Sequence, residues 1–145
     1  MRTLLVMLAA VAAPALAQGL PSIQLNAGMH LIHAEVAADM ASRSQGLMFR
    51  KSLGPNAGMV FIFDEEAQHC MWMKNTLLAL SVAFLDASGT IINIENMAPQ
   101  TEDTHCAKRP ARYALEMERG WFASHGIKPG TKLGGIEKLG AKSAR

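Results

Sequence analysis

The side chains with the most chemical potential in this chain are concentrated in segment 69–76, which reads His-Cys-Met-Trp-Met-Lys-Asn-Thr. If the segment is a β-strand, its side chains alternate between two faces, and Cys70, Trp72 and Lys74 share one of them. A thiol, a large aromatic ring and a cation on one face could form the wall of a pocket. The alternative is that Trp72 fills the core while Lys74 reaches water from the end of the strand.

A helix predicted over about 39–48 carries an arginine in line with apolar residues. Arg43 shares a helix face with Met40 and Leu47. A guanidinium buried on such a face needs a carboxylate or a bound anion, because removing it from water without a partner is too costly. We predict that Arg43 pairs with Glu116 or with a bound anion in a cleft walled by Trp72; the structural alternative is a buried Arg43–Glu116 salt bridge without any ligand. The alternative is that Arg43 lies at the edge of the face and reaches solvent.

These side chains leave two classes of function open. In the first, the chain is a binding module in which an anionic or polar small molecule contacts Arg43, Trp72, Lys74, Asn75 and Glu116. In the second, it is an enzyme that uses Lys74 and Glu116 for acid–base chemistry. No Ser-His-Asp arrangement and no catalytic pair of carboxylates is evident in the sequence, so we favour the binding module and assign no catalytic residue.

The two cysteines, Cys70 and Cys106, are predicted to form a disulfide. The bond would close a loop of about 37 residues and stabilise the fold by roughly 3–4 kcal/mol. Each cysteine follows a histidine, so a metal site made of both cysteines with His69 and His105 is the competing hypothesis. Adjacent His and Cys side chains point in opposite directions on an extended chain, and structural zinc sites use wider spacings. We therefore expect no metal and no cofactor.

Copper handling is a further hypothesis, because thioethers are soft ligands that suit Cu(I). From residue 18 onwards, the chain contains many methionines for its length. They are Met29, Met40, Met48, Met59, Met71, Met73, Met97 and Met117. Their even distribution along the sequence favours a role in filling the core, for which the flexible methionine side chain is well suited.

Residues 1–17 have the pattern of a secretory signal peptide, with Arg2 before an apolar stretch over 4–13 and an Ala-Leu-Ala cleavage site that ends at Ala17. We therefore predict a periplasmic or secreted protein cleaved after Ala17.

The remainder is long enough for one domain, over 18–140, followed by a frayed tail over 141–145. No later segment is long and apolar enough to span a bilayer. The basic residues are scattered, so we expect no nucleic-acid partner, and we expect a monomer.

The pattern of apolar residues predicts an α+β domain that is rich in strands. Hairpins are predicted over about 23–36 and 80–97, and a strand covered on both faces over 59–63, ending at three acidic residues. The alternation over 112–118 places Glu116 on the face opposite Tyr113, Leu115 and Met117. A loop over 98–110 would be held by the disulfide. We predict a short helical turn over about 121–125 and a last strand that ends near 139. The expected architecture is a compact, mostly antiparallel sheet or a small barrel.

Several stretches of this sequence resemble the DUF192 family, which occurs in exported bacterial proteins and in archaea. The matching stretches are Arg43-Ser-Gln-Gly-Leu-Met-Phe-Arg50, Asn56-Ala-Gly-Met-Val-Phe-Ile-Phe63, Trp72-Met-Lys-Asn-Thr76, Asp86 to Gly89, Met97-Ala-Pro99, and Tyr113-Ala-Leu-Glu116 with Gly120. The family commonly has Pro-Leu-Asp where this chain has Ala-Leu-Ser over 79–81. The resemblance implies a compact, strand-rich domain with few helices, and it brings no established activity.

Overall fold

The structure is a computed structural model, and it describes residues 19–140. The strands are β1 (Ser22–Ala27), β2 (His30–Ala37), β3 (Ala57–Ala67), β4 (Cys70–Met71), β5 (Leu80–Leu85), β6 (Ile91–Met97), β7 (His105–Cys106) and β8 (Ala111–Glu118). The helices are α1 (Met40–Gln45), α2 (Trp121–Ser124) and α3 (Glu137–Gly140). The predicted signal peptide over 1–17 and the predicted tail over 141–145 lie outside the described residues. Within 19–140, the helices are too short to cross a membrane.

Six strands form one mixed sheet in the order β1-β2-β3-β8-β5-β6. Only β2 and β3 run parallel; the other neighbouring pairs are antiparallel. The strand-rich α+β prediction is therefore confirmed, and of the two predicted forms the sheet is the one observed, because β1 and β6 do not pair with each other. Segment 130–134 instead forms backbone hydrogen bonds with Asn26 on β1 and with residues 89 and 91 at the start of β6.

Both predicted hairpins are present. β1 and β2 are joined by a turn in which Gly28 has a φ of 58°, a conformation that suits glycine. β5 and β6 are joined by a turn in which the Asp86 carboxylate accepts hydrogen bonds from the backbone of Ser88 and Thr90. Asp86 therefore specifies its turn through its own side chain, as aspartate commonly does.

Three predicted elements differ from the structure. In segment 69–76 only Cys70–Met71 is a strand, because the backbone N–H of Met73 bonds to Thr101 and a turn follows it. The acidic residues after Phe63 do not end β3, since their exposed side chains leave the backbone free to continue to Ala67. The predicted last strand is instead the bonded segment 130–134 followed by α3. The helix predicted over 39–48 is present but shorter, since α1 spans Met40–Gln45. The helical turn predicted over 121–125 is present as α2.

The sheet has a hydrophobic core on each face. One core includes Leu115 and Met117 of β8 and is covered by α2 and the C-terminal segment. The other includes Met59 and Phe61 of β3 and Val82 of β5, and it is covered by Leu47, Met73 and the residues around them. The candidate site lies on this second face, under α1 and segment 70–76.

Candidate functional site

The central residue of the site is Glu116, in the middle of the sheet. It lies on β8 directly between Met59 on β3 and Val82 on β5. Its neighbours on β8, Leu115 and Met117, point into the opposite core. The predicted alternation of this strand is therefore confirmed, and it places a carboxyl group among apolar side chains.

The Glu116 side chain is isolated from other polar groups. The residue is only 4% exposed, and it forms no ion pair and no side-chain hydrogen bond with any residue in 19–140. Burial raises the pKa of its carboxyl group from 4.5 to about 8. Desolvation favours the neutral form, so the group is mostly protonated at neutral pH and can then both donate and accept a hydrogen bond.

Helix α1 and the turn after it form one wall above Glu116. The Asp39 carboxylate accepts a hydrogen bond from the Ser42 backbone N–H at 2.7 Å, which begins the helix. Gly46 ends it with a φ of 50°, and a Cβ at this position would lie 3.2 Å from the Phe61 ring. The Arg50 guanidinium then forms a bidentate ion pair with the Glu35 carboxylate of β2, with N–O distances of 2.8 and 2.9 Å. The turn is therefore held against the sheet at both ends.

Segment 70–76 forms the second wall. Cys70 is bonded to Cys106, directly opposite it in the β4–β7 pair, with an S–S distance of 2.00 Å. Further along, the Gln100 backbone N–H donates to the Thr76 carbonyl. The predicted disulfide is thus confirmed, and together with the backbone bonds it ties this wall to segment 100–106.

The two walls meet at a pair of residues with unusual backbone conformations. Phe49 has a φ of 65° and Asn75 a φ of 54°, and the Phe49 N–H donates to the Asn75 carbonyl at 2.9 Å. A bulky residue in this left-handed region is uncommon, and such strain persists only where the surrounding contacts enforce it. Phe49 is also 64% exposed, although it is a large apolar residue.

Between these walls and the sheet lies a cavity of about 240 Å³. Glu116 is part of its lining together with the aromatic residues Phe61, Phe63 and Trp72 and the methionines Met40, Met48 and Met71. Trp72 is 45% exposed and Met40 is 78% exposed, so they mark the opening to solvent. Phe61 and Phe63 were not among the predicted site residues. The alternation of β3, which brings both rings to the face of Met59, is the signal in the sequence that could have placed them there.

Arg43 lies on the cavity wall, but it does not pair with Glu116. Its guanidinium donates to the Asp64 carboxylate at 2.9 Å and to the carbonyl oxygens of Ala38 and Ile62 at 2.8 and 3.0 Å. The prediction of an Arg43–Glu116 salt bridge is therefore wrong. Because β3 continues past Phe63, it brings Asp64 to the arginine instead.

Lys74 and Asn75 lie outside the cavity lining. The Lys74 ammonium is 3.9 Å from Glu102 and 5.2 Å from the centre of the Trp72 ring. Asn75 is exposed and contributes its backbone carbonyl to the contact with Phe49. Of the five residues predicted from the sequence, the structure thus brings Arg43, Trp72 and Glu116 to one cavity, while the proposed acid–base pair of Lys74 and Glu116 is not assembled.

The family model of DUF192, described as uncharacterized ACR, matches residues 23–135. The chain belongs to the DUF192 family. A UPF0127 protein from Pyrococcus furiosus is 27% identical over 107 residues, which cover 70% of this chain and 85% of that protein.

Two solved structures are similar to this chain. A protein of unknown function from Novosphingobium aromaticivorans is 34% identical with a TM-score of 0.76, covering 84% of this chain and 92% of its own. A proposed transcription regulator from Sinorhizobium meliloti is 38% identical with a TM-score of 0.71, covering 76% of this chain and 88% of its own.

Four of the six segments that carry the DUF192 resemblance contribute to the cavity. Segment 43–50 contains the end of α1, segment 56–63 contains Phe61 and Phe63, segment 72–76 contains Trp72, and segment 113–116 ends at Glu116. Separate stretches of sequence that mark the family therefore meet at one place in this DUF192 protein.

The metal hypotheses can be compared with the positions of their ligands. The two cysteine sulfurs are bonded to each other and His69 stacks on Phe63 at 3.8 Å, so the site of two cysteines and two histidines is not formed. Among the methionines, Met59, Met73, Met97 and Met117 are fully buried in the cores, as expected for core filling.

A second cavity, of about 570 Å³, is lined by Asp39 before α1 and by residues of β1, β2 and β3. Its lining includes Leu20 and Leu139, at the two ends of the described chain. Its two acidic residues are already engaged, because Asp39 caps α1 and Asp64 binds Arg43. The smaller cavity is the better candidate site of this DUF192 domain, because it contains an unpaired buried carboxyl group.

Proposed function

We propose that this DUF192 protein is an exported binding module that holds a small polar molecule in the cavity beneath α1. The observation that carries the proposal is Glu116, whose buried carboxyl group has no partner within 19–140. Within 19–140, no side-chain oxygen or nitrogen is sealed from solvent without a partner, so the Glu116 carboxyl group is reached from the cavity. A ligand in the cavity would therefore bond directly to a carboxyl group that no protein group already occupies.

The lining of the cavity supports this proposal. Small-molecule sites are concave and mostly apolar, with few polar groups that fix the orientation of the ligand. Here Phe61, Phe63 and Trp72 supply apolar surface, and the polar residues of the lining are Arg43, Ser44, Gln45, Thr76 and Glu116. The volume of about 240 Å³ favours a molecule smaller than a typical drug or nucleotide.

Ligand binding can be tested with a thermal-shift screen of small anionic, neutral and cationic compounds on the mature protein. We expect at least one compound to raise the melting temperature of the wild type and to change the fluorescence of the exposed Trp72. Both effects should disappear in Glu116→Leu and remain in Glu118→Leu, a control at the exposed end of the same strand. A screen without any hit, or hits that persist in Glu116→Leu, would refute binding at this cavity.

Export forms a separate part of the proposal and rests on the pattern of residues 1–17. Mass spectrometry of the periplasmic fraction should find a chain that begins at Gln18. Full-length protein retained in the cytoplasm would contradict the predicted cleavage.

A further inference from the structure

The two charged side chains on the cavity wall differ in whether they already have a partner. Within 19–140, its charged side chains are Arg43 and Glu116. Arg43 already donates to four oxygens, the two of the Asp64 carboxylate and the carbonyls of Ala38 and Ile62, and it forms an ion pair with Asp64. The group that remains free to pair with a charged ligand is therefore Glu116, which is negative once it ionises.

The apolar lining consists of groups that tolerate a cation well. The faces of aromatic rings carry negative charge density and attract alkylammonium groups, above all when several rings surround one site. Phe61, Phe63 and Trp72 lie on the wall, and the polarizable thioethers of Met48 and Met71 lie beside them. At the rim, the Lys74 ammonium already lies 5.2 Å from the centre of the Trp72 ring.

We propose that the ligand of this cavity is a small alkylammonium ion, with its nitrogen beside the Glu116 carboxylate and its alkyl groups against the aromatic and methionine side chains. The inference rests on the proposed function and specifies its ligand. An anion would meet an unpaired acid and an arginine that is already paired. A purely apolar molecule would leave the buried carboxyl group without a partner.

The protonation of Glu116 gives this inference a second observable. A cation next to the carboxyl group stabilises its ionised form, so binding near neutral pH releases a proton. Within 19–140, no other acidic residue and no histidine lines the cavity with Glu116: α1 contributes Arg43, the neighbouring strands contribute Met59 and Val82, and Cys70 is in the disulfide. The released proton therefore reports on Glu116 itself.

Isothermal titration calorimetry of the mature protein can test the inference with a matched pair of probes. One probe set is methylammonium, tetramethylammonium and choline; the control is 3,3-dimethyl-1-butanol, which has the shape of choline without its charge. At neutral pH we expect the best cation to bind at least ~10-fold more tightly than the neutral alcohol. Titrations in two buffers with different ionisation enthalpies should show proton release. The preference and the release should be lost in Glu116→Gln and kept in Glu118→Gln.

The other outcomes separate this inference from the proposed function. If the alcohol or another neutral compound binds better than every cation in the series, and Glu116→Leu abolishes that binding, the ligand is neutral and only the inference fails. If no compound of any class binds, both fail. Tight binding of Cu(I) that is abolished by Met48→Leu with Met71→Leu would assign the lining to a soft metal and overturn the alkylammonium.

Discussion

The backbone of Gly58 runs against the carbonyl oxygen of Glu116 so closely that a Cβ would have no room between them. A Cβ at this position would also collide with the sulfur of Met117. The absence of a side chain therefore allows β3 to lie tightly along the central strand at the point where the buried carboxyl group is placed. Neither the carbonyl nor the paired backbone around it can move without breaking the sheet.

We expect Gly58→Ala to destabilise the fold by about 2–3 kcal/mol, the range of severe overpacking, or to prevent folding. Gly54→Ala is the matched control, because its Cβ would make only an ordinary contact of 3.8 Å with Ala57. Urea unfolding of both variants measures the difference. Equal stability of the two would show that β3 is not held so closely to β8.

The ion pair of Arg43 can be tested with double-mutant cycles. Its side chain is 17% exposed whereas that of Asp64 is 81% exposed, so screening by solvent weakens the charge interaction. We expect Asp64→Asn to cost less than ~1 kcal/mol. Arg43→Met should cost roughly 2–3 kcal/mol, since it also leaves two carbonyl oxygens without their donor.

The cycles distinguish the two carboxylates as partners of Arg43. Arg43 should couple to Asp64, while its coupling to Glu116 should stay within ~0.5 kcal/mol. Adding Glu116→Leu to Arg43→Met should therefore not recover the stability lost through Arg43→Met. A clear recovery would restore the salt bridge that the sequence suggested.

The Glu116 carboxyl group should make stability depend on pH. Its pKa is 4.5 when unfolded and about 8 when folded, so the folded state holds the proton more tightly. The loss of folding stability caused by Glu116 is absent below pH 4.5, grows as the pH rises towards about 8, and is complete above that value. It amounts to roughly 4–5 kcal/mol at most.

Urea unfolding at about pH 5, 7 and 9 measures this effect as the difference between the wild type and Glu116→Gln. The wild type should lose stability relative to the variant as the pH rises, since the amide does not titrate and other ionisable groups are common to both. A difference that is constant over this range would mean that Glu116 is ionised when buried or that it has a partner.

Loss of the Cys70–Cys106 bond should loosen both segments that it joins. We expect Cys70→Ala with Cys106→Ala to cost about 3–4 kcal/mol and to lower the melting temperature by several degrees. Hydrogen exchange should become faster in residues 70–76 and 98–106. A reductant should reproduce the change in the wild type and leave the double variant unaffected. Titration under denaturing conditions that finds free thiols in the untreated wild type would contradict the bond.

The sequence was most informative where one local pattern determines structure. Alternation over 112–118 correctly placed Glu116 on the face opposite Leu115, because a strand has only two faces. The cysteine count was sufficient to predict the disulfide, since only one pairing was available. The turn at Asp86 was predictable because its side chain bonds to the adjacent backbone.

The partners of the charged residues could not be predicted in the same way. Arg43 was assigned to Glu116 or a bound anion from its position on the helix face, and the acidic residues after Phe63 were not considered as its partners. The charges of Asp64 and its neighbours do not end the strand, because their side chains face solvent; the pairing of β3 with β8 shifts in register after Ile62 and resumes at Ala67. Segment 69–76 was misread for a similar reason: its backbone bonds to residues 100 and 101, far away in sequence.

The hydrogen bonds between segment 130–134 and both Asn26 and the start of β6 have a consequence for how the chain folds. Two of these partners, Asn26 and Gly134, come from opposite ends of the domain, so contacts of this kind close only after long loops have been ordered. A chain still emerging from the ribosome therefore lacks the segment that joins the two edges of its sheet. The two edges can be joined only after residues 130–134 have been synthesised, which is later than all six strands of the sheet.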